Sequence, residues 1–191
     1  MASFTKKAIV ESFLKLSVRK SPDKITVRDI VDDCEINRNT FYYYFQDIYA
    51  LMEEIFCVWA TGFCVTCQAD GDICEGLRSV VRWAQEHKRA TVHFVLSFDQ
   101  SRLEEYWLRA TKDAWIEWAR HRVGQGVVSE EASRYVGTTY AMTFFGILCR
   151  WIRGSMREDA DVMIERYAVW LSCAEQLLLT YDKTAVKNGR Q

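Results

Sequence analysis

The chain has 191 residues, 49% of them hydrophobic and 27% charged, which suits one medium domain or a small module joined to a larger one and excludes disorder over most of the length. One proline and nine glycines leave too little turn chemistry for a sheet protein, so the composition predicts an all-α fold. Lysine plus arginine number 25 against 26 acidic residues, a net charge of −1, which excludes a global polycation wrapping nucleic acid but not a local basic surface.

Met1 to Lys7 has no signal-peptide core, and no window reaches the roughly 20 apolar residues of a membrane span. Seven cysteines, an odd number scattered through apolar stretches, suit a reducing cytoplasm. A cytoplasmic protein with no membrane partner is expected. All seven tryptophans lie beyond residue 58, so the two ends differ in task.

In chain order, Phe4 to Arg19 predicts a first helix with Ile9, Phe13 and Leu16 on one side, stopped by Ser21-Pro22-Asp23. Thr26 followed by Asp29 reads as a capped start, and Val27, Ile30, Val31 and Cys34 keep the spacing of one buried stripe. After a turn at Glu35-Ile36, Asn37 caps a third helix, Arg38 to Phe45, with Phe41 and Phe45 inward, Asn39, Thr40 and Tyr43 outward and Tyr42 on the flank. A longer helix from about Asp47 turns Leu51, Ile55 and Val58 inward, and Asp70-Gly71-Asp72 breaks the chain. Caps at Asp72, Ser101 and Ser129, with stops at Gly124, Gly126 and Gly154, predict helices near 73–86, 88–98, 101–123, 130–152 and 159–181, about nine in all.

Two short helices joined by a tight turn, Thr26–Cys34 and Asn37–Phe45, form the skeleton of a helix-turn-helix. Any small helical domain can pack two such helices, so the skeleton alone fits DNA binding and plain packing equally. Chemistry adds a direction. Arg38 can donate two hydrogen bonds to guanine, Asn39 can read adenine, and Thr40, Tyr42, Tyr43 and Tyr44 carry hydroxyls for phosphates. Residues 1–46 hold eight basic and six acidic side chains, a local +2 that binds phosphates weakly and needs a second copy.

The stretch Lys24-Ile25-Thr26-Val27-Arg28-Asp29-Ile30-Val31, then Ile36-Asn37-Arg38-Asn39-Thr40-Phe41-Tyr42-Tyr43-Tyr44-Phe45, closely resembles the DNA-binding signature of the TetR/AcrR (tetracycline-repressor-like) family of bacterial transcriptional regulators. The similarity runs over about residues 4–60. It implies an N-terminal three-helix DNA-binding domain, residues 1–60, and a helical effector and dimerisation domain, residues 61–191. Carried over by position, Arg38 and Asn39 are base readers, Thr40, Tyr42 and Tyr44 phosphate contacts, and Tyr43 lies against the backbone or a thymine methyl; Lys6, Thr26, Val27 and Arg28 complete the expected DNA-binding set. Three departures stand out. Glu35 replaces the turn glycine, at about 1 kcal/mol if the backbone there is left-handed; Tyr44 replaces a common histidine; and Ile48 stands where a lysine often meets phosphate. More loosely, Trp151-Ile152-Arg153-Gly154-Ser155-Met156 is similar to a Gram-positive branch that includes dihydroxyacetone-kinase operon regulators.

Tyr135 to Cys149 is fifteen residues without charge. With the last helix it predicts a homodimer through a four-helix interface of Tyr140, Phe144, Ile147, Trp151, Tyr167, Trp170, Leu171 and Leu178, with Gly137, Ala141 and Gly146 permitting close approach; a larger monomeric core is the alternative. An aromatic wall of Trp83, His93, Phe94, Phe98, Trp107, Arg109, Trp115 and Trp118 is the candidate pocket for an unknown apolar or aromatic small-molecule effector, although each of these also suits ordinary core. Cys57, Cys64, Cys67 and Cys74 leave thiol sensing, a metal and plain packing open, and no cofactor or metal site is expected. His87, His93 and His121 are too widely spaced for a local ligand motif. No Walker loop, dinucleotide fingerprint, His-Glu-x-x-His or Gly-x-Ser-x-Gly occurs, so no enzyme is expected. The pattern therefore predicts a repressor released from a palindromic operator by the effector, the alternative being a DNA-bound adaptor regulated by a protein partner.

Overall fold

A computed structural model describes residues 2–70, 72–97, 99–123 and 127–188, with side chains over 4–22, 24–64, 72–97, 99–122 and 127–183. Every regular element among them is helical: α1 Ala2–Ser17, a 3-10 turn Pro22–Lys24, α2 Val27–Cys34, α3 Arg38–Tyr44, α4 Ile48–Asp70, α5 Ile73–Glu86, α6 Lys88–Ser97, α7 Gln100–Val123, α8 Glu130–Arg153, α9 Ala160–Ser172 and α10 Ala174–Asn188. None is long and apolar enough to cross a membrane.

The helix starts are set by side chains that satisfy free N–H groups. Thr26 and Asp29 form a reciprocal capping box on α2, Asn37 accepts from the Asn39 amide at 2.8 Å on α3, and Asp72 and Ser129 begin α5 and α8. The start of α7 differs from expectation. Asp99 accepts from the amides of Ser101 and Arg102 at 3.0 and 3.2 Å, so the cap lies two residues before Ser101, where a carboxylate supplies a stronger acceptor. The expected helix 159–181 is also divided. Cys173 keeps a near-helical backbone, φ −84° and ψ −6°, but its N–H bonds to Trp170, a tightened turn that separates α9 from α10. At the end of α8 the chain reverses after Gly154 through Ser155 and Met156, both at positive φ. Gly124 and Gly126 lie outside the described residues.

One hydrophobic core runs from Ile9 in α1 to Leu178 in α10, so α1–α3 and the remaining helices share packing through α4. Helix α4 lies against α5 and α7, and α7 against α8. The α7–α8 contact is tight at Gly137, where a Cβ would stand 2.8 Å from the Trp115 carbonyl oxygen, so only glycine lets α8 sit this tightly on α7. Three of the large aromatic residues enter the core with their polar atoms satisfied, whereas the buried Trp115 indole N–H has no partner among the described residues. The indoles of Trp59 and Trp107 donate to the carbonyls of Val80 and Ala141 at 2.9 Å, and the Tyr167 hydroxyl donates to the Tyr140 carbonyl at 2.6 Å. Val58, expected inward, is exposed, while Ile55, Phe56, Trp59 and Ala60 of the same stretch of α4 are buried.

Candidate nucleic-acid interface

Helices α2 and α3 are joined by a turn in which Glu35 is left-handed, φ 54° and ψ 38°, while the amides of Glu35 and Ile36 both return to the Val31 carbonyl. That geometry is the one glycine supplies without strain. Ile9, Phe13, Ile30, Phe41 and Phe45 are buried together and fix α3 on α1 and α2. The opposite side of α3 is open: Arg38, Asn39, Tyr42 and Tyr43 are exposed, Tyr43 at 80%, and Thr40 and Tyr44 are half-buried. Five of these six sit in or beside the first turn and a half of a helix narrow enough for a major groove.

The exposed groups have internal contacts. An Arg38 Nη donates to the Tyr42 hydroxyl at 3.1 Å, and the guanidinium carbon lies 5.5 Å from the Tyr42 ring. Tyr43 and Tyr44 meet edge to face at 4.9 Å. Around the start of α2, Arg28 is exposed with Asp32 3.5 Å away and Val27 is half-buried against the core. The Thr26 hydroxyl serves the capping box, donating to Asp29 and accepting from its amide. Lys20 beside Asp29 and then the Thr26 donors hold the Asp29 carboxyl down at about 2. Lys6 points to α4, 2.6 Å from Glu54 and over the Phe45 ring at 5.8 Å, so it joins two helices and is not a free cation.

Polar and charged contacts, among others, tie this module to the later helices. His93 of α6 meets the Ser17 carbonyl at 3.1 Å, Ser97 meets Ser21 at 3.2 Å, Arg102 of α7 lies over Tyr49 at 6.0 Å, and Arg109 of α7 pairs with Glu53. The expected pocket set is thereby dispersed. His93 and Arg109 serve these ties. Trp107 and Trp115 are wholly buried in aromatic packing, Trp115 against Phe63 at 5.1 Å, and offer no wall to a ligand. Trp83 and Phe94 border a void of about 20 Å³ between α1, α4, α5 and α6, too small for more than a water. Phe98 lies outside the described residues. Elsewhere among the described residues lies a cleft of about 1160 Å³ between α4, α5, α7 and α8. Trp118 is the one member of the expected set that lines it, beside Cys64, Ile73, Ile116 and Thr138. Its rim carries paired charges: Arg120 bridges Glu117 and Glu130 at 3.1 and 3.4 Å, and Arg134 meets Glu130 at 3.2 Å.

The expected dimer set needs a similar correction. Tyr140, Phe144, Trp151, Tyr167, Leu171 and Leu178 are buried within the protomer and have no surface left for a partner, and Ile147 is half-buried. Gly137 and Ala141 admit α7 rather than a second chain. Among the described residues, the open apolar side groups on α8–α10 are Tyr135, Val162, Val169, Trp170 and Leu177, with Gly146 facing free space. No local sequence signal separates a side chain packed on its own core from one packed on a copy.

Cys57, Cys64 and Cys74 are half-buried, and burial pushes all three thiols up from their ordinary range, which disfavours the reactive thiolate. Cys64 donates to the Ala110 carbonyl at 3.4 Å. The Cys67 side chain lies outside the described residues. Among those described, no three His, Cys, Asp or Glu side chains converge on a metal-sized site.

Comparison with known families decides the class. Residues 9–55 match the bacterial regulatory proteins of the tetR family, and residues 72–172 match a transcriptional regulator C-terminal region of the same family. The chain belongs to the TetR family. Solved TetR-type structures share its fold: the dihydroxyacetone kinase operon activator DhaS, at TM-score 0.62 and 19% identity over 94% of this chain and 97% of that one; the fatty acid degradation regulator FadR from Bacillus halodurans, at 0.61 and 15% over 91% and 94%; and RolR without ligand, at 0.59 and 18% over 90% and 95%. No curated protein matches significantly. As a TetR-family member this is a DNA-binding transcriptional regulator, with the matched N-terminal segment covering α2 and α3.

Proposed function

We propose that this TetR-family protein is a cytoplasmic homodimer that represses transcription from a palindromic operator until a small molecule binds its C-terminal domain. The observation that carries the reading is the solvent-open side of α3, where Arg38 and Asn39 stand in the first turn of a helix anchored by the buried Phe41. In a groove Arg38 and Asn39 read bases, while Thr40, Tyr43, Tyr44 and Arg28 reach phosphate or sugar. The functional division falls near residue 60, inside α4, so one helix belongs to both the reading head and the sensing body.

The effector site is the cleft between α4, α5, α7 and α8, not the dispersed aromatic set. Ile73, Ala110, Ala114, Ile116 and Trp118 in its lining suit an apolar or aromatic body, and Lys112, Asp113, His121 and Arg134 beside them suit polar groups on it. An open cleft favours a small molecule over regulation by a protein partner. The effector acts by binding the arrangement of recognition helices that does not fit the operator more tightly than the one that does. Dimerisation uses Tyr135, Val162, Val169, Trp170 and Leu177, and brings two copies of α3 to one DNA face. The protein acts by binding and catalyses no reaction.

The test is fluorescence anisotropy on the duplex upstream of the protein's own gene, against a scrambled duplex, over a salt series. Tight binding to the first with little on the second supports sequence-specific regulation. Equal and steeply salt-sensitive binding to both, or none, removes that duplex as the operator, and a random-duplex selection that enriches no sequence overturns the reading.

A further inference from the structure

Tyr42 has two candidate roles on α3, and the geometry separates them. By resemblance it is a phosphate contact acting through its hydroxyl. In the structure that hydroxyl already accepts a hydrogen bond from an Arg38 Nη at 3.1 Å, and the guanidinium lies over the same ring at 5.5 Å. One side chain therefore restrains Arg38 both through an edge and through a face. The spacing i, i+4 makes the contact possible, since side chains four apart lie one above the other on a helix. The ring of Tyr42 is itself fixed, edge-on to the buried Phe41 with centroids 5.6 Å apart. A chain of contact thus runs from the core through Phe41 and Tyr42 to the head of Arg38.

Arginine reads guanine by presenting two parallel N–H groups to O6 and N7, and a guanidinium has five N–H donors. Tyr42 takes one of them on the Nη2 side and leaves the other donors available. A free arginine on an exposed helix samples many rotamers, and holding it in place lessens what binding must freeze.

We infer that Tyr42 is a positioning residue for base readout: it holds Arg38 for a guanine in the operator half-site, and its hydroxyl sets sequence discrimination more than overall affinity. This rests on the DNA-binding reading above. It goes beyond it by predicting which base the first turn of α3 reads and which side chain makes that reading sharp.

The experiment uses the full-length protein and a pool of random duplexes. Selection and sequencing are run for the wild type, Arg38→Ala, Tyr42→Phe and the double variant, and affinities are then measured on the selected duplex and on versions changed one base pair at a time. Phenylalanine keeps the ring and its packing on Phe41, so folding is not at stake. Circular dichroism and melting are recorded alongside as a check. For the wild type, one guanine per half-site is enriched, and its replacement weakens binding about tenfold or more. Arg38→Ala abolishes that preference, and Tyr42→Phe lowers it about three- to tenfold at the same base pair while other positions keep theirs. The two losses are not additive in the double variant. If Tyr42→Phe instead weakens every duplex by the same factor, the hydroxyl meets phosphate and the inference fails while DNA reading stands. If the wild type enriches no sequence, the DNA-reading proposal itself fails and takes this inference with it.

Discussion

The Nδ1 of His93 in α6 lies 3.1 Å from the carbonyl oxygen of Ser17, the last residue of α1. A carbonyl can only accept, so Nδ1 carries the proton and His93 acts as a C-terminal cap supplied from another helix. It satisfies one of the carbonyls that any helix end leaves free. Removing it with His93→Ala is expected to cost about 1 kcal/mol, lowering Tm by about 2–4 °C for a chain of this size. Amide exchange at residues 18–20 is expected to speed up while exchange in α8 does not change. Exchange that rises evenly along the chain would show that the contact is not a local tie.

Glu35 holds a left-handed backbone at φ 54° with no glycine to make it easy. Glu35→Gly is expected to stabilise the protein by about 1 kcal/mol, the usual cost of an L-residue there. A thermal melt showing a Tm rise of about 2–4 °C confirms this; no rise means that the Glu35 side chain offsets its own strain.

Asp29 makes the start of α2 sensitive to acid. Lys20 and Thr26 hold its carboxyl at about 2 in the folded chain against an ordinary 3.8. A depressed carboxyl stabilises the fold above its unfolded value and loses that contribution as pH falls from about 4 through 2. Because the side chain is about a third exposed, solvent screening keeps the gain to about 1 kcal/mol. Urea midpoints of wild type and Asp29→Asn should differ by that amount at pH 7 and converge near pH 2. A gap that persists into acid contradicts the assignment.

Gly137 and Gly146 lie on one helix and predict opposite outcomes. Alanine at 137 collides with the backbone of Trp115 and Ile116, at 2.8 and 2.9 Å, where no side chain can yield. The expected cost is about 1–3 kcal/mol. Alanine at 146 meets nothing within 4 Å and should gain up to about 1 kcal/mol in helix propensity. Equal melting temperatures for the two variants would remove the tight α7–α8 contact as a determinant of the fold.

Trp170 is 65% exposed on α9, among the open apolar side chains that the proposed dimer covers. Trp170→Glu should give a folded monomer by sedimentation velocity, with circular dichroism unchanged, because a charge at the centre of a dry interface loses its water. A dimer that survives the change would place the interface elsewhere.

The parts of the architecture readable from the sequence are those set by neighbours within a turn or two. Thr26–Asp29, Asn37 and Asp72 announce helix starts, and the stripe Val27, Ile30, Val31, Cys34 predicts which face of α2 goes inward. Asp99 is harder to read as the cap, since Ser101, followed by Glu104 three residues on, fits the same local pattern. The aromatic residues are illegible in another way. Trp107 and Trp118 are both large and apolar and both sit on α7, yet one is wholly buried and the other borders a cleft. Their difference depends on where α4 and α8 cross α7, which no local pattern encodes. The same holds for Tyr167 and Trp170, three residues apart on α9: one faces Tyr140 and the other faces out.

The distribution of indoles gives the protein two optical probes that need no label. Trp59, Trp107, Trp115 and Trp151 are enclosed, Trp83 and Trp118 half-enclosed, and Trp170 is open. Emission from Trp170 should lie at the red edge of the spectrum in dilute protein and shift to the blue as copies associate. Trp118, at the wall of the cleft, should be quenched or shifted by an occupant at protein concentrations where the red-edge signal is constant. Assembly and occupancy can thus be followed in one cuvette, with Trp170→Phe and Trp118→Phe assigning each change to its source.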